Sequence, residues 1–83
     1  MKQKKNIIFH PHALRKMRER DLSTQKVREI LKGPQSIVQG KWGRKIAQKI
    51  YGEYLIRVVF EEQENHILVV TAYPAKPEKY LEE

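Results

Sequence analysis

Tyr54-Leu55-Ile56-Arg57-Val58-Val59-Phe60-Glu61, then Glu62-Gln63-Glu64-Asn65, then His66-Ile67-Leu68-Val69-Val70-Thr71-Ala72-Tyr73 is the stretch on which the fold turns. Its first part alternates with period two, with Ile56, Val58 and Phe60 on one side and Leu55, Arg57 and Val59 on the other. Alternation of this kind in β-branched and aromatic residues predicts a strand. The polar Glu62–Asn65 segment is too short for a crossover, so the strands on either side of it are antiparallel neighbours. In the second strand, alternation sets Leu68, Val70 and Ala72 against Ile67, Val69, Thr71 and Tyr73. Upstream, Arg44 to Tyr51 alternates Ile46, Gln48 and Ile50 against Lys45, Ala47, Lys49 and Tyr51, and Gly52-Glu53 makes the hairpin turn. Ser36-Ile37-Val38-Gln39 is a further short strand, followed by the loop Gly40-Lys41-Trp42-Gly43. Downstream, Pro74 and Pro77 are expected to end the sheet, and Glu78-Lys79-Tyr80 begins a polar tail.

The N-terminal part has a different period. Asn6-Ile7-Ile8-Phe9 predicts a short strand cut off at His10-Pro11, and Pro11 suits the first position of a helix. Ala13, Leu14 and Met17 form its apolar stripe, His12, Arg15, Lys16 and Glu19 share another face, and it should stop near Arg20-Asp21. Ser23 predicts the N-cap of a second helix, with Leu22 and Val27 spaced as a hydrophobic staple and Gly33-Pro34 as its end. The expectation is an α+β domain spanning residues 1–83: an N-terminal strand, two helices, then three to four antiparallel strands, with the helices on one face. Simple alternation puts Lys45, Lys49, Arg57, Thr71 and Tyr73 on the other face, beside Leu55, Val59, Ile67 and Val69. That apolar patch is expected either to meet a protein partner or to lie under the first helix or the tail.

Composition narrows the function classes. Eighty-three residues make one small domain. With 17 Lys+Arg against 10 Asp+Glu the net charge is +7, which points to polyanions or an acidic partner. There is no cysteine, hence no disulfide, thiolate site or redox motif. His10 and His12 fall on different sides of a helix start and His66 on a distant strand, so no metal and no cofactor are expected. Ile67-Leu68-Val69-Val70 is far short of the roughly 20 apolar residues of a membrane span, and the basic start before Ile7-Ile8-Phe9 predicts no signal peptide. A cytoplasmic location is the expectation.

The string Phe9-His10-Pro11-His12-Ala13-Leu14-Arg15-Lys16-Met17-Arg18-Glu19-Arg20-Asp21-Leu22-Ser23 resembles a prokaryotic pattern of strand, His-Ala, Arg-Met and Arg-Gly-Ile-Ser. Leu68-Val69-Val70-Thr71-Ala72-Tyr73 resembles the closing strand that goes with it. Over about residues 6 to 75 the chain resembles a small prokaryotic domain family of uncharacterised function, related to RelE/ParE and BrnT toxins within the barnase–EndoU–colicin–RelE ribonuclease group. The resemblance implies a metal-independent endoribonuclease or translation-inhibiting toxin held by a cognate antitoxin, acting on RNA that includes ribosome-associated RNA. It aligns His12, Arg15 and Arg20 with the family's helix residues, Arg57 with a basic residue of the middle strand, and Thr71 and Tyr73 with the last-strand polar pair. Asp21 departs from the pattern, which has glycine there.

Metal-free RNA cleavage needs a proton acceptor for the 2′-hydroxyl, a donor for the 5′-oxygen and cations around the phosphorane. His12 is the expected acid or base, Arg57, Thr71 and Tyr73 the other expected catalytic residues, and Arg15, Arg20, Lys45, Lys49 and Trp42 the expected RNA contacts. Each has a plainer alternative. His12 is equally an ordinary exposed helix histidine, Arg15 a partner of Glu19 on a solvated face, and Thr71 and Tyr73 are good strand formers. Trp42 either caps the sheet edge or offers its ring to RNA or a partner. Arg57, between Ile56 and Val58, needs a partner or an anion. The other function class is a non-catalytic basic module that binds RNA or protein, including a ParE-like inhibitor of a protein target.

Overall fold

A computed structural model of the chain describes residues 5–80. The chain runs β1 (Asn6–Phe9), α1 (Pro11–Glu19), α2 (Thr24–Lys32), β2 (Ser36–Gln39), a 3-10 turn (Lys41–Gly43), β3 (Lys45–Tyr51), β4 (Tyr54–Glu62), β5 (His66–Ala75) and a terminal helical turn α3 (Pro77–Tyr80). It is α+β, with an N-terminal strand, two helices and an antiparallel β2–β5 meander. The five strands form one sheet in the order β1-β5-β4-β3-β2. No helix among the described residues is long and apolar enough to cross a membrane.

The core lies between the helices and one face of the sheet. Ala13 and Met17 of α1 and Val27 and Ile30 of α2 pack with Ala47, Ile56, Val58, Phe60, Val69 and Ala72. At its centre a row of small, large and small residues, Ala47, Val58 and Ala72, crosses three strands in direct register. β1 is held by parallel pairing with the start of β5, where Ile7 faces Ile67 and Phe9 faces Val69. These four side chains all pack in or against the core.

Three features differ from simple alternation. First, β5 carries a bulge: Phe60 pairs with Val69 but Val59 pairs with Thr71, leaving Val70 as the extra residue. Ile67 and Val69 therefore turn to the helices while Thr71 and Tyr73 turn away, so the expected apolar patch of Leu55, Val59, Ile67 and Val69 does not form. Leu55 on that outer face is itself only 1% exposed. Second, Lys45 and Lys49 lie opposite Phe60 and Ile56, on the helix-covered side and not on the outer face. Long lysine stems at the margin of a layer cover apolar surface while the ammonium reaches water. Third, β5 runs through Pro74 to Ala75. β1 pairs only as far as Val69, so among the described residues the β5 edge beyond it has no strand partner and proline's missing N–H removes no ladder bond there.

Both helices start on side-chain caps. Ser23 Oγ accepts the Lys26 N–H at 3.1 Å. The α1 cap is His10, whose Nδ1 accepts the His12 N–H at 3.0 Å, with Pro11 at the first helical position. α1 ends in a Schellman turn: Leu22 N–H reaches Met17 O at 2.8 Å and Asp21 N–H reaches Arg18 O at 3.2 Å. Asp21 takes φ 60, the left-handed conformation in which glycine is least strained. Asp21→Gly is expected to stabilise the fold by about 0.5–1 kcal/mol, read as a higher urea midpoint with an unchanged m value. A lowered midpoint would mean that the Asp21 side chain contributes more than its backbone strain costs.

Candidate functional site

The outer face of the sheet carries one continuous polar row. Ser36, Gln48, Arg57 and Tyr73 stand directly opposite one another on β2, β3, β4 and β5. The hydrogen bonds follow the register. Gln48 Nε2 donates to Ser36 Oγ at 2.9 Å, Arg57 Nε donates to Gln48 Oε1 at 2.8 Å, and Arg57 Nη1 donates to the Tyr73 hydroxyl at 2.7 Å. Gln48 and Arg57 are 2% and 8% exposed, so the bond between them is buried while those to Ser36 and Tyr73 are partly so. The bulge at Val70 creates this row: without it, Ala72 and not Tyr73 would face Arg57.

Arg20 closes the row from the helical layer. As the C-cap of α1, ahead of the Asp21 turn, it reaches past the open β5 edge. Its Nη1 donates to the Ala72 carbonyl at 3.0 Å and, at a long 3.4 Å, to Thr71 Oγ1. Its guanidinium carbon is 5.9 Å from the Tyr73 ring centre, and that of Arg57 is 5.7 Å. Both guanidiniums thus lie near the Tyr73 ring, that of Arg57 at its hydroxyl end. Its oxygen accepts from Arg57, and no acceptor among the described residues takes its own proton.

The other residues expected at the site fall into three places. His12 and Arg15 are exposed on α1 and bonded to each other, Arg15 Nη2 meeting His12 Nδ1 at 3.2 Å. His12 is eight residues before Arg20, about 12 Å along the helix axis, and lies towards the opposite end of α1. Lys45 donates to Glu62 at 3.0 Å, and Lys5 to the same carboxylate at 3.1 Å. The Lys45 and Lys5 ammoniums hold the Glu62 carboxyl below its ordinary range, so its charge, and with it the pairing of Lys45, persists into mild acid. Lys49 Nζ is 5.9 Å from the Tyr51 ring, whose other cationic neighbour is Lys26 at 4.5 Å. Trp42 stands 83% exposed in the β2–β3 loop. Arg20, Arg57, Thr71 and Tyr73 are therefore brought together, while His12, Arg15, Lys45 and Lys49 are not in this row.

Gln48 and Ser36 belong to the row and were not anticipated. Gln48 carried the same signal as Arg57, a polar side chain within the apolar alternation Ile46-Gln48-Ile50. Ser36 carried none. Among the described residues no cluster of three or more His, Cys, Asp or Glu side chains is placed to hold a metal ion. The chemistry on offer is cationic recognition of an anion at Arg20, with a phenol poised beside it.

A family model described as Domain of unknown function (DUF4258) matches residues 9–74, which include α1, the bulge and all of the polar row. No curated protein and no solved structure matches the chain.

Proposed function

We propose, for this chain that belongs to the DUF4258 family of domains of unknown function, a toxin-like role of the RelE/ParE kind: metal-independent cleavage of RNA on the outer sheet face. The observation that carries the reading is Tyr73 with the Arg20 and Arg57 guanidiniums both near its ring, its oxygen accepting from Arg57 and its own proton uncommitted. Arg20 is exposed and meets the scissile phosphate. Arg57, buried beneath, positions the phenol and adds its charge from below. The 2′-oxygen loses its proton, attacks phosphorus and forms the 2′,3′-cyclic phosphate. The bond from phosphorus to the 5′-oxygen breaks, Tyr73 gives that oxygen its proton, and water returns one to the phenolate. The 2′-proton leaves to water, because His12 lies about 12 Å along α1 from Arg20 and does not reach a phosphate held there. The net charge of +7 draws RNA to the surface, and an acidic antitoxin would compete for the same cations.

The test is cleavage of a single-stranded oligoribonucleotide in excess EDTA, followed by mass analysis of the ends. Products ending in 2′,3′-cyclic phosphate are expected, with Tyr73→Phe slower by about 10²-fold or more, as for loss of a positioned general acid. Arg20→Ala should reduce both rate and affinity, and His12→Ala should leave the rate nearly unchanged. Intact RNA under all these conditions would overturn the enzymatic reading. The burial of Arg57 favours one other reading, a non-catalytic module in which the row only stiffens a binding face. Salt-sensitive binding of intact RNA, or binding of an acidic protein instead, would then be the outcome.

A further inference from the structure

Trp42 is the most exposed large apolar side chain among the described residues, at 83%. Its backbone is held at φ 57, ψ 40, inside the 3-10 turn, and Gly43 follows at φ 75. A turn that needs left-handed backbone is served by glycine or asparagine, and a tryptophan there is strained. The turn thus lifts an aromatic ring clear of the sheet where a small residue would close the same loop. Nothing in the core gains from this, so the ring is available to a ligand.

Its surroundings say which kind. Lys41 Nζ is 6.0 Å and the Arg44 guanidinium carbon 5.9 Å from the ring centre. Both distances lie at the outer limit of a cation–π contact, and at 83% exposure most of the residue stays open to solvent. Arg44 is fixed by a 2.9 Å bond to Glu61, which shares the outer face of β4 with Arg57. Four positions separate Glu61 from Arg57, about 13 Å along the strand. An exposed aromatic ring beside two cations is the arrangement that binds single-stranded nucleic acid, stacking a base while the charges follow its backbone.

We infer that Trp42, with Lys41 and Arg44, is a stacking platform for an unpaired base of single-stranded RNA lying along the outer sheet face. This deepens the proposed function, on which it rests only for RNA as the ligand, by making the substrate single-stranded. An acidic protein would use the same cations, but it gives no reason for an uncovered ring face at the edge of the molecule.

Trp42 is the chain's one tryptophan, so its fluorescence reports on this site alone. The probes are 2′-O-methyl hexamers, which bind but cannot be cleaved, single-stranded or annealed to a complement. Single strands are expected to quench Trp42 at low salt and the duplex to leave it nearly unchanged. By anisotropy of a labelled hexamer, Trp42→Gly should weaken binding by about tenfold or more, with a melting temperature equal to or above that of the parent. Trp42→Phe should keep most of the affinity. An unquenched Trp42 at saturation, a Trp42→Gly variant that binds like the parent, or quenching by polyglutamate but not by RNA would each overturn the inference. Cleavage of ordinary RNA that survives Trp42→Gly with unchanged affinity would remove the platform and leave the proposed function standing. Quenching without any cleavage of ordinary RNA would do the reverse.

Discussion

Ile30→Ala is expected to lower the melting temperature by about 15–25 °C. Ile30 is 0% exposed, and with Val27 it is one of two buried residues on α2. A nine-residue helix is marginal on its own, so α2 exists because these two side chains fasten it to the sheet. Truncation removes three carbons from a site walled by β-sheet, which cannot collapse to fill the space. The cost is about 3–4 kcal/mol, and each kcal/mol moves the melting point of a domain this size by about 4–8 °C. A small domain has about 5–10 kcal/mol to lose, so the variant should be partly unfolded near 45 °C. Scanning calorimetry reads the shift, with Ile30→Val expected to cost only about 1 kcal/mol. A drop below about 5 °C would show that α2 is not fastened through this residue.

The securely legible elements were those whose signals are local. Ser23 as a cap, Gly33 as an end and Gly52 at a two-residue hairpin each answer to the conformation of one residue and its neighbours. Gly52 indeed takes φ 62. What escaped was information held between distant segments. Ile67-Leu68-Val69-Val70 is apolar throughout, so period two has nothing to register against. The bulge at Val70 is fixed instead by which of these residues must meet Phe60 and the helices. Pairing of β1 with β5 is similarly settled by burial of Ile7 and Phe9, two residues that carry no mark of their partner. The same limit applies to the site. Arg57 announced itself as a charge within an apolar run, but its place opposite Tyr73 depends on the bulge, and that of Arg20 depends on the left-handed turn at Asp21. Lys45 looked like a free cation because its partner, Glu62, is 17 residues away.

Arg57→Met is expected to destabilise the fold by about 2–3 kcal/mol, and adding Gln48→Leu is expected to restore at least about 1 kcal/mol of that loss. Methionine keeps most of the stem of Arg57 but none of its donors. The buried Gln48 carbonyl and the Tyr73 hydroxyl then lose the bonds now measured at 2.8 and 2.7 Å. An acceptor left buried without its donor costs the full desolvation of that group, which is why the single variant suffers. Replacing both members with apolar residues of similar shape removes the orphan, and buried ionic networks exchanged in this way are frequently neutral in stability. Urea unfolding of the parent, both single variants and the double variant closes the cycle. A double variant that merely adds the two single costs would mean that Arg57 and Gln48 act independently, against their direct register and short bond. The cycle also separates stability from chemistry. In a double variant as stable as the parent the Tyr73 ring is still present but no longer held from below. RNA cleavage lost from such a well-folded protein would assign the row to positioning the phenol, whereas cleavage retained at full rate would assign Arg57 to the fold alone.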